Sequence, residues 1–401
     1  MQRNKFFLIL FLFSSFLSFG QEISDSVSLR NYILEHAEEF KLSKEIVTDP
    51  KYRFQLVYTQ VDHSDSVPQF STSHFGTQQY YYPASLMKFP IALLTLSHFR
   101  QSGISLDDIP VFGSEVSCNN DKFIALSQSK SICFRQMILE MMALSDNNFY
   151  SSFYHLLGPK LINDRLEKNG YSGTNIYKAF TGCERVDQLK TNSCEVVDSK
   201  GEFKSSSLMT VLDTNEMLKN YSFTESRLFG SKHEDENGDI VSGPYDLNYN
   251  LELPLPEVND MLIHLMYPET EGQKFILRNG DREFLIESMQ KYPREVIPSY
   301  PARRYWKNDN DLKYAIIGEE GTAHKMKTTS KLGLSYGFTS EIAHVKNEED
   351  GVEFFMSVSL YTNANDIVND GEYEYTEVAR PFVARLSKLL YAYELEKSKK
   401  K

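Results

Sequence analysis

The tightest constraint on the fold of this chain is that its strand-forming segments sit at its two ends. Near the start, residues 52–61 (Tyr-Arg-Phe-Gln-Leu-Val-Tyr-Thr-Gln-Val) alternate and are rich in aromatic and β-branched side chains, and residues 68–75 offer a hairpin partner across the polar stretch 62–65. Near the end, residues 331–337, 339–345 and 352–361 read as three strands, with 347–351 supplying turn chemistry. A lone two-stranded hairpin is marginal in water, so the two ends are expected to meet in one sheet. The segments between them carry a helical period, and the central helices would then form a separate lobe.

Helices are predicted over 27–41, 85–100, 134–157, 257–267, 283–292 and 373–397 from apolar residues recurring on one face. The region from Gly170 to Gly243 is polar and patchy. Within it Asp235, Asn237 and Asp239 have the spacing of a calcium loop, but Ile240 stands where that loop needs glycine, so the segment reads as a solvated loop. No repeat, low-complexity linker or composition break divides residues 21–401. They are read as one domain of two lobes, with a long insert between about 160 and 325.

Composition narrows the partners. The 401 residues carry 43 Lys plus Arg against 55 Asp plus Glu, and a net charge of −12 argues against a phosphate-backbone binder, so no nucleic-acid partner is expected. The first twenty residues differ from the rest: Arg3 and Lys5 precede the apolar run 6–19, and Ser18 and Gly20 lead to Gln21. This pattern reads as a secretory signal cleaved after Gly20, which places the mature chain in the periplasm or outside the cell. The apolar run is short for a stable membrane span, and no cysteine at the cut offers a lipid anchor; an uncleaved N-terminal anchor is the alternative. In such a compartment Cys118, Cys133, Cys183 and Cys194 are able to pair, local bridges 118–133 and 183–194 being one of three pairings. Neither the cysteines nor the scattered histidines have zinc-site spacing, and no cofactor is expected.

The chemistry begins at Ser85-Leu86-Met87-Lys88, at the head of an apolar helix just after Pro83. A three-residue step is nearly one helical turn, so hydroxyl and amine share a face. A serine hydroxyl needs a base to become a nucleophile, and a lysine desolvated among apolar neighbours is able to act as one. Ser-x-x-Lys occurs four times in the chain, but only here does the apolar run Phe89 to Leu94 draw the lysine inward. The second candidate is Ser145-Asp146-Asn147, which on its own reads as a helix cap. The third is Lys331-Leu332-Gly333-Leu334, heading a strand, where Gly333 permits close approach of another backbone or a substrate.

In their order and context these three boxes resemble the S-x-x-K, S-D-N and K-T-G boxes of the serine β-lactamase and penicillin-binding protein superfamily. Ser85 and Ser145 are 60 residues apart, about the class A β-lactamase separation, and the third box opens the strands before a C-terminal helix. The resemblance implies a β-lactamase/transpeptidase-like fold of α/β (α+β) class, an antiparallel sheet flanked by helices plus an all-helical lobe. It implies Ser85 as acyl-accepting nucleophile, Lys88 as its general base, and Ser145 as proton relay to the departing nitrogen. Asn147 would hold Lys88 and the substrate amide, and Lys331 would attract a substrate carboxylate. Gly333 and Leu334 would line the substrate, with the backbone N–H groups of Ser85 and Leu334 as oxyanion hole.

Two departures bear on function. Leu332 replaces the threonine of the third box and removes a hydroxyl that helps hold a carboxylate. The class A deacylation box E-x-x-L-N is missing, Glu184 being a candidate base by its distance from the second box alone. The 186 residues between Ser145 and Lys331 also exceed the compact class A spacing, so extra elements are expected at the cleft rim. The first reading is a class A type β-lactamase acting on a small-molecule β-lactam. A cell-wall D,D-peptidase acting on peptidoglycan peptides is second, and an esterase third. A non-catalytic binder on the same fold is the competitor from another class.

Overall fold

A computed structural model of the chain describes residues 23–115, 132–180, 185–213, 227–248, 250–270, 274–299, 312–315 and 327–400. The signal segment 1–20, Cys118, Cys183 and Glu184 lie outside the described residues. Of the cysteines within them, Cys194 is buried and Cys133 half-buried.

In chain order the elements that build the site are α1 (Ser26–His36), β1 (Gln55–Asp62), β2 (Gln69–Phe75), α2 (Lys88–Ser102), α3 (Phe134–Ala143) and α4 (Asn147–Leu157). They continue with α5 (Leu255–Met266), α6 (Asn279–Gln290), β3 (Lys327–Ser335), β4 (Phe338–Asn347), β5 (Val352–Tyr361) and α7 (Arg380–Lys400). The two ends do meet. Strands run in the order β3-β4-β5-β1-β2, all antiparallel, and β1 joins β5 in the register Gln55↔Ser359 and Tyr58↔Met356. The mixed α/β fold with its antiparallel sheet is therefore as the sequence implies.

Strand parity sorts the core into two layers. Val57, Ile342 and Phe355 face inward to α2, α3, α4 and α5. Leu56, Tyr58, Val345 and Val358 face the other way, to the terminal helices α1 and α7. The segment before α1 is tied to α7 and β1 there: the Ile23 N–H donates to Tyr393 Oη at 3.1 Å, and Gln60 Nε2 donates to the Ile23 carbonyl at 2.9 Å. On the inner face, buried Asn259 of α5 donates to Thr59 Oγ1 and accepts from Ser357 Oγ, each at 3.0 Å. That side chain bolts a helix of the long insert onto two strands, so part of the insert supports the sheet beyond shaping the rim.

Helix α2 is apolar on nearly every side because it runs through the middle of the inner layer. Its Pro90 sits in the first turn, where a missing N–H costs little, and Gly103 closes it at φ +71°. The single helix expected over 134–157 is two, broken at residues 144–146. Ser145 takes a left-handed backbone at φ +56°, and Asp146 then caps α4 by accepting from Asn148 N (2.7 Å) and Phe149 N (3.0 Å). The closing helix begins with a π turn, Tyr375–Ala379, before α7. At Asp235, the carboxylate accepts the N–H groups of Asn237 and Asp239, so the supposed cation ligands make an ordinary loop turn.

Candidate active site

Ser85 lies in a short 3-10 turn, Ala84–Met87, that feeds directly into α2. The turn starts from a left-handed Ala84 (φ +47°), and the Leu86 N–H donates to the Pro83 carbonyl at 3.0 Å. Lys88, one turn on, is wholly buried. Its Nζ lies 2.7 Å from Ser85 Oγ, 2.9 Å from the Ser145 carbonyl, 3.1 Å from Ser145 Oγ and 2.6 Å from Asn147 Oδ1. The Phe180 ring also lies against it, centred 5.1 Å from Nζ.

The second box divides its labour by geometry. Asp146, fully buried, serves the backbone of α4, while Ser145 and Asn147 on either side reach Lys88. A non-glycine residue in the left-handed region costs on the order of 1 kcal/mol, and here that backbone goes with a Ser145 whose carbonyl and hydroxyl both meet Lys88 Nζ. Among the described residues, three of the seven non-glycine residues with such backbone, Ala84, Ser145 and Tyr336, border the same cleft or the lysine beneath it.

Strand β3 closes the other wall. A β-carbon added to Gly333 would lie 2.3 Å from the Pro83 carbonyl oxygen and 2.9 Å from both Leu86 N and Ser340 Oγ, so only glycine lets the strand lie against the Ser85 turn. Ser340, opposite Gly333 in β4, donates to the same Pro83 carbonyl at 3.1 Å. Lys331 shares the Gly333 face by parity and is buried, 2% exposed. Leu332 points to the opposite face and packs in the layer beneath α1 and α7, so the third box offers the cleft neither the missing hydroxyl nor its replacement.

The resulting cleft has a volume of about 260 Å³ and is lined by Ser85, Asn147 and Leu334 together with Tyr82, Lys178 and Tyr336. No carboxylate stands among its described lining residues. Burial first, and then the neighbouring tyrosines, push the Tyr82 and Tyr336 hydroxyls well up, so both stay protonated and neither is a base for Ser85. Lys178, Phe180 and Tyr336 were not legible as site residues; the first two come from the patchy middle of the chain, where no period or motif marks them. Among the described residues no group of three or more His, Cys, Asp or Glu is arranged to hold a metal, and no helix is long and apolar enough to cross a membrane.

A serine and a buried lysine one turn apart, with a second serine from the break before α4, an asparagine at its first turn and an edge strand alongside, are the kinds of group that acyl transfer to a serine needs. A model of the Beta-lactamase enzyme family matches residues 44–225. Among solved structures, the TLA-3 extended-spectrum β-lactamase aligns at 14% identity over 92% of this chain and 99% of its own, with a TM-score of 0.51. A β-lactamase from Desulfarculus baarsii DSM 2075 aligns at 11% identity over 91% and 98%, also at 0.51. At such identity these two likenesses are of fold. No curated protein matches the sequence. The family match over residues 44–225 and the likeness of fold together support a serine β-lactamase-like hydrolase.

Proposed function

We propose that the protein is an exported serine hydrolase of class A β-lactamase type that opens a β-lactam or related small-molecule amide through an acyl-enzyme on Ser85. The observation that carries this reading is the 2.7 Å contact between Ser85 Oγ and a fully buried Lys88 Nζ. With Lys88 neutral, the Ser85 proton passes to Nζ as Oγ attacks the carbonyl carbon. The oxyanion is received by the backbone N–H groups of Ser85 and Leu334. Ser145 Oγ, 3.1 Å from Nζ, hands a proton to the departing nitrogen as the C–N bond breaks, and is resupplied from Lys88. Asn147 holds Nζ in line, and Lys331 adds positive potential on the leaving-group side. Water then hydrolyses the Ser85 ester, releasing the acid and restoring the hydroxyl.

A cell-wall D,D-peptidase is the second reading, favoured by one observation. The described cleft lining contains no carboxylate to activate that water, and the Phe180 ring covers Lys88. Glu184 keeps its place as a candidate deacylation base. Intact-mass spectrometry over time after mixing with benzylpenicillin, with Ser85→Ala alongside, tests both. An adduct on wild type only, clearing as drug is consumed, supports the lactamase, and a persistent one supports the peptidase. No adduct, or one that survives Ser85→Ala, refutes the role of Ser85 in both.

A further inference from the structure

Residues 178–180 have no regular secondary structure, yet they are fastened to α4. Tyr150 Oη donates to the Lys178 carbonyl at 2.9 Å, the Ala179 N–H donates to Gln188 Oε1 at 2.6 Å, and the Phe180 N–H donates to Ser151 Oγ at 3.0 Å. Ser151 Oγ in turn donates to the Asn147 carbonyl at 2.8 Å, so the segment is tied to the same turn of α4 that supplies Asn147 to the site. The Phe180 ring stacks on Tyr150 with centroids 4.1 Å apart and planes inclined by 23°. It also lines the cleft with Ser85 and Asn147, and Lys88 Nζ stands 5.1 Å from its centre.

That distance leaves no room for a water between ring and amine. A water bonded to Nζ and resting on the ring needs about 2.8 Å on one side and about 3.5 Å on the other, or about 6.3 Å in line. Elsewhere Nζ is crowded by Ser85 Oγ, both Ser145 oxygens and Asn147 Oδ1, all within 3.1 Å. Of these five neighbours the ring alone makes no hydrogen bond to Nζ, so its removal frees space without stripping a partner from the amine. The position matters to the Ser85 ester. The atom that leaves on hydrolysis is Oγ, 2.7 Å from Nζ, and a water on Nζ would stand beside the bond that must break, with a base to take its proton.

We propose that Phe180 sets the lifetime of the acyl-enzyme by keeping water off Lys88. It is a positioning residue, acting through the amine it covers, and the proposal rests on the reading of Ser85 as nucleophile and Lys88 as its base. A small side chain in its place leaves room for a water with Nζ and Asn147 Oδ1 as polar partners, the two that such a site needs at the least. The oxygen of that water bonds to the ester carbonyl carbon while its proton passes to Nζ. The C–Oγ bond then breaks and Nζ returns the proton to Oγ, giving the acid and the free serine.

Rapid-quench intact-mass measurements give acylation rates and acyl-enzyme half-lives for the wild type, Phe180→Ala, Phe180→Gln and Phe180→Leu, with Ser85→Ala as background. The acyl donors are benzylpenicillin and p-nitrophenyl acetate, an activated ester that asks little of the leaving-group side. Phe180→Ala should shorten the half-life by about tenfold with acylation no faster than in the wild type. Phe180→Gln keeps the bulk but holds water through its amide, and should shorten the half-life as well; it carries the test should the alanine protein fail to fold. Phe180→Leu restores an apolar cover and should stay within about twofold of the wild type. A site that is merely loosened slows both steps, so faster deacylation separates a water gate from a structural role. In heavy-oxygen water the acid released by the fast variants should carry one heavy oxygen, and acid without it would overturn the proposal. A half-life unchanged or lengthened in folded Phe180→Ala or Phe180→Gln, or shortened as much in Phe180→Leu, also overturns it while leaving Ser85 acylation intact. Should neither donor label Ser85 in the wild type, the nucleophile reading fails and the proposal falls with it.

Discussion

Replacing Gly333 by alanine tests whether close approach of β3 to the Ser85 turn sets the site. The new β-carbon would fall 2.3 Å from the Pro83 carbonyl oxygen, with two further atoms at 2.9 Å. Ordinary van der Waals spacing requires the strand and turn to separate by about 1 Å. The nearest obstacles are backbone atoms that also carry the Leu86 to Pro83 hydrogen bond, so the strain has no flexible side-chain end to absorb it. Overpacking of this kind costs about 1–3 kcal/mol, which should lower the melting temperature by a few degrees. A 1 Å displacement of Ser85 from Leu334 N–H should slow acylation on the order of a hundredfold. Thermal unfolding followed by circular dichroism and acylation followed by intact mass read the two effects. Gly280→Ala is the control, because nothing lies within 4 Å of its added carbon at the start of α6. A Gly333→Ala protein that melts with the wild type and acylates at its rate would refute the argument.

Two other substitutions probe what holds the site's frame. Asn259→Ala leaves the Thr59 and Ser357 hydroxyls without their buried partner and should cost roughly 2–4 kcal/mol in urea unfolding, and an unchanged midpoint would contradict the bolting role. Burial, only partly offset by the Ala315 and Tyr314 N–H groups, pushes the Glu341 carboxyl up to about 7. Because the folded value exceeds an unfolded value of about 4.3, its contribution to stability is fully present below that pH and is lost as pH rises through about 7. Glu341→Gln should therefore flatten the urea midpoint across that window, and an identical slope in both proteins would show that another group is responsible.

Much of the frame is readable in the chain because it is local. Alternation in residues 52–61 and the aromatic and β-branched run in 352–361 mark strands, and the step from Ser85 to Lys88 places hydroxyl and amine one turn apart whatever surrounds them. The order of the three boxes likewise survives in the sequence, and so does the reason for expecting acyl transfer. The break at Ser145 is harder to read: the apolar run continues to Leu144, and Asp146 was legible as a cap while the left-handed turn before it was not.

Tertiary structure decided the rest. Which face Leu332 takes depends on the pairing of β3 with β4, where a shift of one residue would exchange Leu332 and Lys331 between core and cleft. That Lys88 is buried with Ser145 and Asn147, and that Phe180 covers it, depends on helices and a loop converging from some 57 to 92 residues away. Lys178, Tyr82 and Tyr336 come together from three segments with no common period. Local pattern encodes what an element is and which residues share its face. Contacts between elements are chosen by packing and register, so this chain's serine and lysine were visible in its sequence, whereas the wall of the cleft that faces them appeared only once distant segments had packed together.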